Sequence, residues 1–565
     1  MAMPRANLST RNFRLERVVR VDLTDLGTGV SAETDVRRWA RFSRFSYTGS
    51  GSPGEPERAV VSYHNPIVPG FHPDPSICRV GDEFFLVTSS FALFPGIPVF
   101  RSTDLVNWEL VGHVLDRFSQ MASVTGMKAR SGVYAPTIRH HEGRFYVTCT
   151  LVEGGGNFIC WAEHPEGPWS EPMWLRTVHG IDPSPWFEDG RCWIVHNGAP
   201  EGPELYDGHR AIRIHEVDLR TGAGIGSSHV LVNGGTDLSR KPIWIEGPHL
   251  FKRSGYYYLV ASEGGTAEDH SVVCFRSRSL MGPYESWAGN PILTQRDLRN
   301  EREERITCTG HADLVQLKDG RWWAVFLGCR PFEGDHYITG RETFLLPVEW
   351  PEGGWPVILP RGQAVPVLGR PPFPGAKALP KQDWEETFDG MELSPNWVTV
   401  RPPSEKWMEL GEGYIALAPR AVHLSEPRHA SLLARRVTGS TFTAETTMRL
   451  PPDGGGVEAG LAAFQDESHH FFLGVRTLPG RDAEAFLEVV SGGRARVIGR
   501  CAVTSEEVTL RLQAEGSRHV FSLRCDGEWQ VVGVADGRLL STLTAGGFQG
   551  VIVGMHARKS RAPDK

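Results

Sequence analysis

Five stretches of the chain share one pattern of apolar and polar positions. They read "DPSICRVGDEFFLVTSS", "APTIRHHEGRFYVTCT", "DPSPWFEDGRCWIVHNG", "GPHLFKRSGYYYLVAS" and "ADLVQLKDGRWWAVFLG". Each is a short, usually proline-bearing segment, then a glycine, then an aromatic-rich run. The glycines, Gly81, Gly143, Gly190, Gly255 and Gly320, stand 62, 47, 65 and 65 residues apart. Further strand candidates follow each copy, as in "VFRSTDLVNWELVG" and "CFRSRSLMGPYESWAGNPIL". Each unit predicts a meander of about four short strands. One such sheet cannot bury both faces alone, so the copies must stack radially.

The repeat predicts a five-bladed β-propeller over residues 63–370. The innermost strand of each blade is a sheet edge, where Pro75, Pro136, Pro183 and Pro248 are tolerated. Pro75 is also expected to hold Asp74 in an extended conformation. After a Pro-rich linker at 371–382, alternating segments such as "HHFFLGV", "VTLRLQ" and "GVIVGMH" predict a β-sandwich, jelly-roll or lectin-like, over 383–560. The fold class is all-β. Residues 1–62 are rich in Arg, lack Lys and end in a Gly/Ser/Pro/Glu run. They read as a disordered extension outside both domains.

Composition narrows the function classes. The 565 residues call for more than one core. A net charge of −7 gives no footprint for nucleic acid or an anionic membrane surface. No apolar run reaches the roughly 18–20 residues of a membrane span. The start has no secretory apolar stretch, and nine cysteines scattered singly fit a reducing cytoplasm rather than a disulfide framework or zinc site. Oligomeric state is not legible, and a homo-oligomer stays open.

The repeat also turns single carboxylates into a positional pattern. Asp74 and Asp182 each precede a repeat proline, and Glu246 stands two before Pro248. "GHADL" puts His311 at the same rim in the fifth unit. Taken singly, an aspartate could cap a turn, Glu246 could pair with an arginine, and His311 could be a core residue. Three acids at equivalent positions of different blades favour convergence on one channel mouth. Carboxylates crowded there cannot all stay ionised, so at least one pKa should rise. One protonated and one ionised carboxyl form the acid/base apparatus of glycoside hydrolysis.

The stretches "NPIVPGFHPDPSI", "GIDPSPWFEDG", "EGPHLFK", "GHADLV" and "GRETFLLPVEW" resemble glycoside hydrolase family 43, in particular its β-xylosidases with a C-terminal sandwich. The resemblance implies an inverting, exo-acting hydrolase. Asp74 would be the general base, Glu246 the general acid and Asp182 the residue that tunes and orients the acid. Phe91, Tyr134, Thr266, His311 and Arg341 match its sugar pocket, and Phe548 matches a sandwich residue that closes it. Tyr134 stands where the family often has Trp, and His72 where Asn is common. The expected substrate is a short β-1,4-xylooligosaccharide cut at its non-reducing end. An α-L-arabinofuranosidase, or an enzyme with both activities, is the close alternative, and a non-catalytic sugar-binding propeller the remoter one. No cofactor is required; the resemblance admits a divalent cation such as calcium near His311.

Overall fold

In the computed structural model the described residues are 38–49, 62–299, 301–374, 376, 383–451, 456–477 and 483–560. Each repeat forms its own antiparallel sheet from consecutive strands. The inner strands of the five sheets are Ser76–Val80, Thr137–His141, Ile181–Glu188, Glu246–Arg253 and Thr307–Gln316. Each packs against the next, and the fifth packs against the first, so the inner strands close a ring. The five repeat glycines all have positive φ, between 62° and 90°. At Gly81, Gly143, Gly190 and Gly320 a Cβ would meet nothing within 4 Å. Glycine recurs there for its backbone, because the turn demands a left-handed residue.

The ring is closed by the chain that enters it. Val68 bridges Thr343, and Tyr63–His64 pairs with Leu368–Gly369. Asn65 donates through Nδ2 to Leu345 O at 3.0 Å and accepts from Leu345 N–H at 2.9 Å. The first residues of the repeat region are thus tied to Glu342–Val348, the last strand of the fifth sheet.

The C-terminal part is two facing sheets of eight and six strands around one apolar core. One strand of the larger sheet comes from the other end of the chain. Ala40–Gly49 lies between Tyr414–Leu417 and Thr441–Arg449, with Ala40, Phe42, Phe45 and Tyr47 buried. This corrects the expectation of a disordered extension for that stretch; residues 1–37 and 50–61, like most of the expected linker, lie outside the described residues. The alternation was hidden by arginines on the outward face and by a bulge between Phe42 and Arg44 that breaks the period of two.

The sandwich is seated on the ring rather than hung beside it. Thr399–Val400 pairs with Leu93–Phe94, and Val551 N–H donates to Ile338 O at 2.7 Å. A single apolar cluster runs from Phe71, Phe91 and Val133 across to Val400, Leu432 and Phe472. Arg401, 2% exposed, crosses the junction to donate to Met127 O and pairs with Glu467.

Candidate active site

Along a strand, residues two apart face the same side. The inner strands therefore line the channel in layers, and two layers are visible. The lower one draws one side chain from each sheet: Ser76, Arg139, Ser184, His249 and Asp313. Asp313, 0% exposed, accepts from Ser76 Oγ (2.7 Å) and Ile77 N–H (3.0 Å), and is gripped by Arg139 at 2.7 and 3.2 Å. His249 Nδ1 lies 3.0 Å from Arg139 Nη2 and 3.1 Å from Ser184 Oγ. Burial pushes the Asp313 carboxyl up, but Arg139 and His249 outweigh it and hold the pKa below its usual value.

Two residues earlier on four of these strands come Asp74, Asp182, Gly247 and His311. All four have left-handed backbones, with φ of 54°, 57°, 56° and 48°. The expected extended conformation at Asp74 is therefore corrected. Positive φ is costly for a residue with a side chain. Hydroxyls of neighbouring sheets hold two of the residues in place: Asp182 N–H donates to Thr150 Oγ1 (3.2 Å) and His311 N–H to Ser262 Oγ (2.7 Å). The pairing register shifts at the same places in the third, fourth and fifth sheets. Such bulges re-aim side chains. In the fourth sheet the left-handed position is glycine, because a Cβ there would come within 2.9 Å of the His311 ring. The acid of that sheet, Glu246, stands one residue earlier.

The three acids are all buried, at 5%, 5% and 8% exposure for Asp74, Asp182 and Glu246. Their partners differ sharply. Asp74 accepts from Arg341 Nη1 at 2.9 Å and from Ser89 Oγ at 2.5 Å, with His311 Nδ1 4.0 Å away. Burial raises its pKa, yet Arg341, His311 and Ser89 together bring it below the usual carboxylate value. Asp182 accepts from Gly247 N–H at 2.9 Å, and burial lifts its pKa to about 6. Glu246 has no hydrogen bond to another described side chain. Burial first, then the charges of Asp182 and Asp74, push its pKa well above the ordinary range. One carboxyl is thus kept ionised and another protonated within mutual electrostatic reach, the pairing that can move protons in opposite directions at one bond.

The aromatic side of the site joins both domains. Phe91 lies 5.0 Å from Tyr134 and stacks on Phe548 at 6.2 Å, ring centre to ring centre. The Arg341 guanidinium lies over Phe91 and Phe548 at 5.8 and 5.4 Å. Its Nε is buried without a partner among the described residues. Phe548 reaches this place because the adjoining backbone is pinned. A Cβ at Gly550 would strike Thr339 O at 2.4 Å, and Gln549 Nε2 donates to Ala129 O. Thr266 is half-buried in the loop after Tyr256–Glu263 and makes no hydrogen bond to the acids.

Sequence reading missed Ser89, Thr150 and Ser262, whose hydroxyls hold the acids or their backbones; small polar residues in strands carry no signal of their own. It also missed Trp244. That ring is 38% exposed two residues before Glu246, lies under Arg210 at 4.6 Å and neighbours Gly265. A separate open cleft of about 540 Å³ is lined by Glu268, Arg296, Arg299 and Glu301, and none of the three acids borders it. Among the described residues no group of three or more His, Cys, Asp or Glu could hold a metal ion. His311 faces a carboxylate already engaged by Arg341 and Ser89, so the residues do not form a calcium cage.

Comparison with known proteins settles the family. The model of Glycosyl hydrolases family 43 matches residues 63–356. The chain belongs to that family. The Beta xylosidase C-terminal Concanavalin A-like domain matches residues 385–565. A non-reducing end α-L-arabinofuranosidase of Bacteroides ovatus is 35% identical, over 88% of this chain and 92% of its own length. A xylosidase/arabinosidase of Butyrivibrio fibrisolvens is also 35% identical, over 88% and 96%. Among solved structures, a GH43_12 retrieved from capybara gut metagenome is 36% identical with a TM-score of 0.85, covering 92% of this chain and all of that one. This family 43 chain is a glycoside hydrolase.

Proposed function

We propose that the chain is an inverting, exo-acting hydrolase that releases xylose from the non-reducing end of short β-1,4-xylooligosaccharides. The observation that carries this reading is a pair of buried carboxyls in one channel whose pKa values are driven apart. Asp74 is held by Arg341 and Ser89, whereas Glu246 has no hydrogen-bond donor among the described side chains. Water attacks the anomeric carbon and gives its proton to Asp74. Glu246 gives its proton to the departing oxygen as the glycosidic bond breaks, and single displacement inverts the anomeric centre. Asp182, ionised above about pH 6, favours the proton on Glu246 and, through Gly247 N–H, fixes the backbone that carries it. Phe91, Tyr134 and Phe548 offer ring faces to the sugar, and Arg341 Nε a free donor for a hydroxyl. The polar layer around Asp313 fills the channel beneath, which suits removal of one terminal sugar at a time. The nine unpaired cysteines support a cytoplasmic setting; recovery of the native enzyme in the secreted fraction would overturn it.

A second reading, α-L-arabinofuranosidase or a dual enzyme, is favoured by the activity named for the Bacteroides ovatus relative. Rates on 4-nitrophenyl β-D-xylopyranoside and α-L-arabinofuranoside decide between them: a strong furanoside preference overturns the first. Proton NMR of the freshly released sugar reads the anomer, and retained configuration would overturn the single displacement.

A further inference from the structure

Arg436 ends the sandwich strand Ser431–Arg436 and points into the junction with the ring. It is 9% exposed, and both Nε and Nη2 are buried without a partner among the described residues. Those two nitrogens form one edge of the guanidinium, with two parallel N–H bonds, the edge that elsewhere grips carboxylates and other anions. No carboxylate fills it. Glu342, which accepts from Gly70 N–H at 2.7 Å, is held by both Nε and Nη2 of Arg330 at 2.6 and 2.7 Å.

The other groups facing Arg436 are bases. Its charge bears on His72 and His113, and burial together with that charge keeps both imidazoles neutral. His113 is 3% exposed, and its Nε2 also lacks a partner. His72 is joined to Thr88 Oγ1 at 3.4 Å. The backbone beside the cluster is tightly closed, since a Cβ at Gly70 would stand 2.8 Å from Val437 O and 3.4 Å from Arg436 Cβ. The cluster therefore carries one buried positive charge and an unused two-donor edge. A buried cation left uncompensated is strongly unfavourable.

We propose that Arg436 binds a monovalent anion of halide size, chloride under ordinary conditions, at the junction between ring and sandwich. One negative charge neutralises the site, whereas a divalent phosphate or sulfate would leave a buried net negative charge. The ion sits beside Gly70–His72, the segment that leads into Asp74, so it fastens the sandwich to the strand that carries a catalytic carboxyl.

The direct test is a crystal of the full chain grown with bromide in place of chloride. The expected result is an anomalous peak within hydrogen-bond distance of Arg436 Nε and Nη2, lost in Arg436→Met. Absence of the peak in the unaltered protein, or its persistence in the variant, overturns the proposal. In solution at constant ionic strength, replacing gluconate by chloride should raise the melting temperature of the unaltered protein by roughly 1–4 °C. The rise should vanish in Arg436→Met and survive in Arg299→Met, which alters a surface arginine elsewhere. An equal chloride response in all three proteins overturns the site. Where Arg436→Met does not fold, the bromide peak in the unaltered protein decides alone.

Discussion

Two layers of one channel, two residues apart on the same strands, treat buried acids in opposite ways. In the lower layer Asp313 is surrounded by donors from two neighbouring sheets, Ser76 and Ile77 of the first and Arg139 of the second, and its pKa is depressed. In the upper layer Glu246 meets burial and two other acids that outweigh the charge of Arg341, and its pKa is raised. The strands, the ring and the near-complete burial are shared; the difference lies in the partners supplied. A carboxylate with every lone pair satisfied is a bolt, while one left without donors is a proton reservoir. Stability and chemistry separate along the axis of one scaffold.

Exchanging the layers' residues should separate those roles. Glu246→Ala and Asp74→Ala are each expected to lower kcat by about 10²–10⁴-fold. The melting temperature should hold in Glu246→Ala and fall in Asp74→Ala, which strands the buried Arg341. Asp313→Ala is expected to do the reverse of Glu246→Ala, costing about 3–5 kcal/mol of stability because the largely buried Arg139 loses the carboxylate it grips. Its activity per folded molecule should stay near normal at low temperature. Steady-state rates and denaturant unfolding on the three variants check this, and a stable, inactive Asp313→Ala would erase the distinction. The pH dependence differs too. Asp313, with a depressed folded pKa, contributes stability fully above its unfolded value near 3.9, lost as pH falls through the folded one.

The activity profile reads the upper layer. On the proposed roles its acid limb should follow Asp74, whose pKa is lowered, and its alkaline limb Glu246, whose pKa is raised. Asp182→Asn removes a negative charge that favours the proton on Glu246. The alkaline limb of kcat/KM should therefore move to lower pH, with the acid limb nearly still. A limb that moved upward, or not at all, would detach Asp182 from its proposed task.

Much of this was legible beforehand. The glycine repeat located all five sheets because a left-handed turn residue is a local, composition-visible demand. Asp74 and Asp182 could be found because they recur at one register of that repeat, and Glu246 because it stands one residue from it. The strand Ala40–Gly49 could not, since its partners lie some four hundred residues away and its pattern contains a bulge. Nor could the left-handed backbone at Asp74: the proline after it argues for an extended residue, and only packing across the ring overrides that preference. The hydroxyls that support the acids are invisible for a similar reason, as their partners come from neighbouring sheets.

Phe548 tests whether the sandwich takes part in the upper layer at all. It is the one aromatic of the site contributed by the C-terminal domain, and 37% of it is exposed. Phe548→Ala should raise KM several-fold for xylobiose and leave kcat within a few-fold, because a stacking face aids binding without touching the transferred protons. An unchanged KM would confine the sandwich to a structural role.

The smallest effect expected is at Ser89, and it bears most directly on why the layers differ. Its hydroxyl donates to Asp74 Oδ2, one of the few features that make the upper layer's base resemble Asp313 below. Ser89→Ala removes that donor and leaves Arg341 and His311 in place. Asp74 should then move part of the way toward the behaviour of Glu246, with its pKa rising toward the ordinary carboxylate value. The acid limb of kcat/KM would shift upward by the same amount, while the rate on the pH plateau would change little. If the limb stayed fixed, Arg341 and His311 alone would account for the ionised state of Asp74, and partner identity rather than partner number would set the two layers apart.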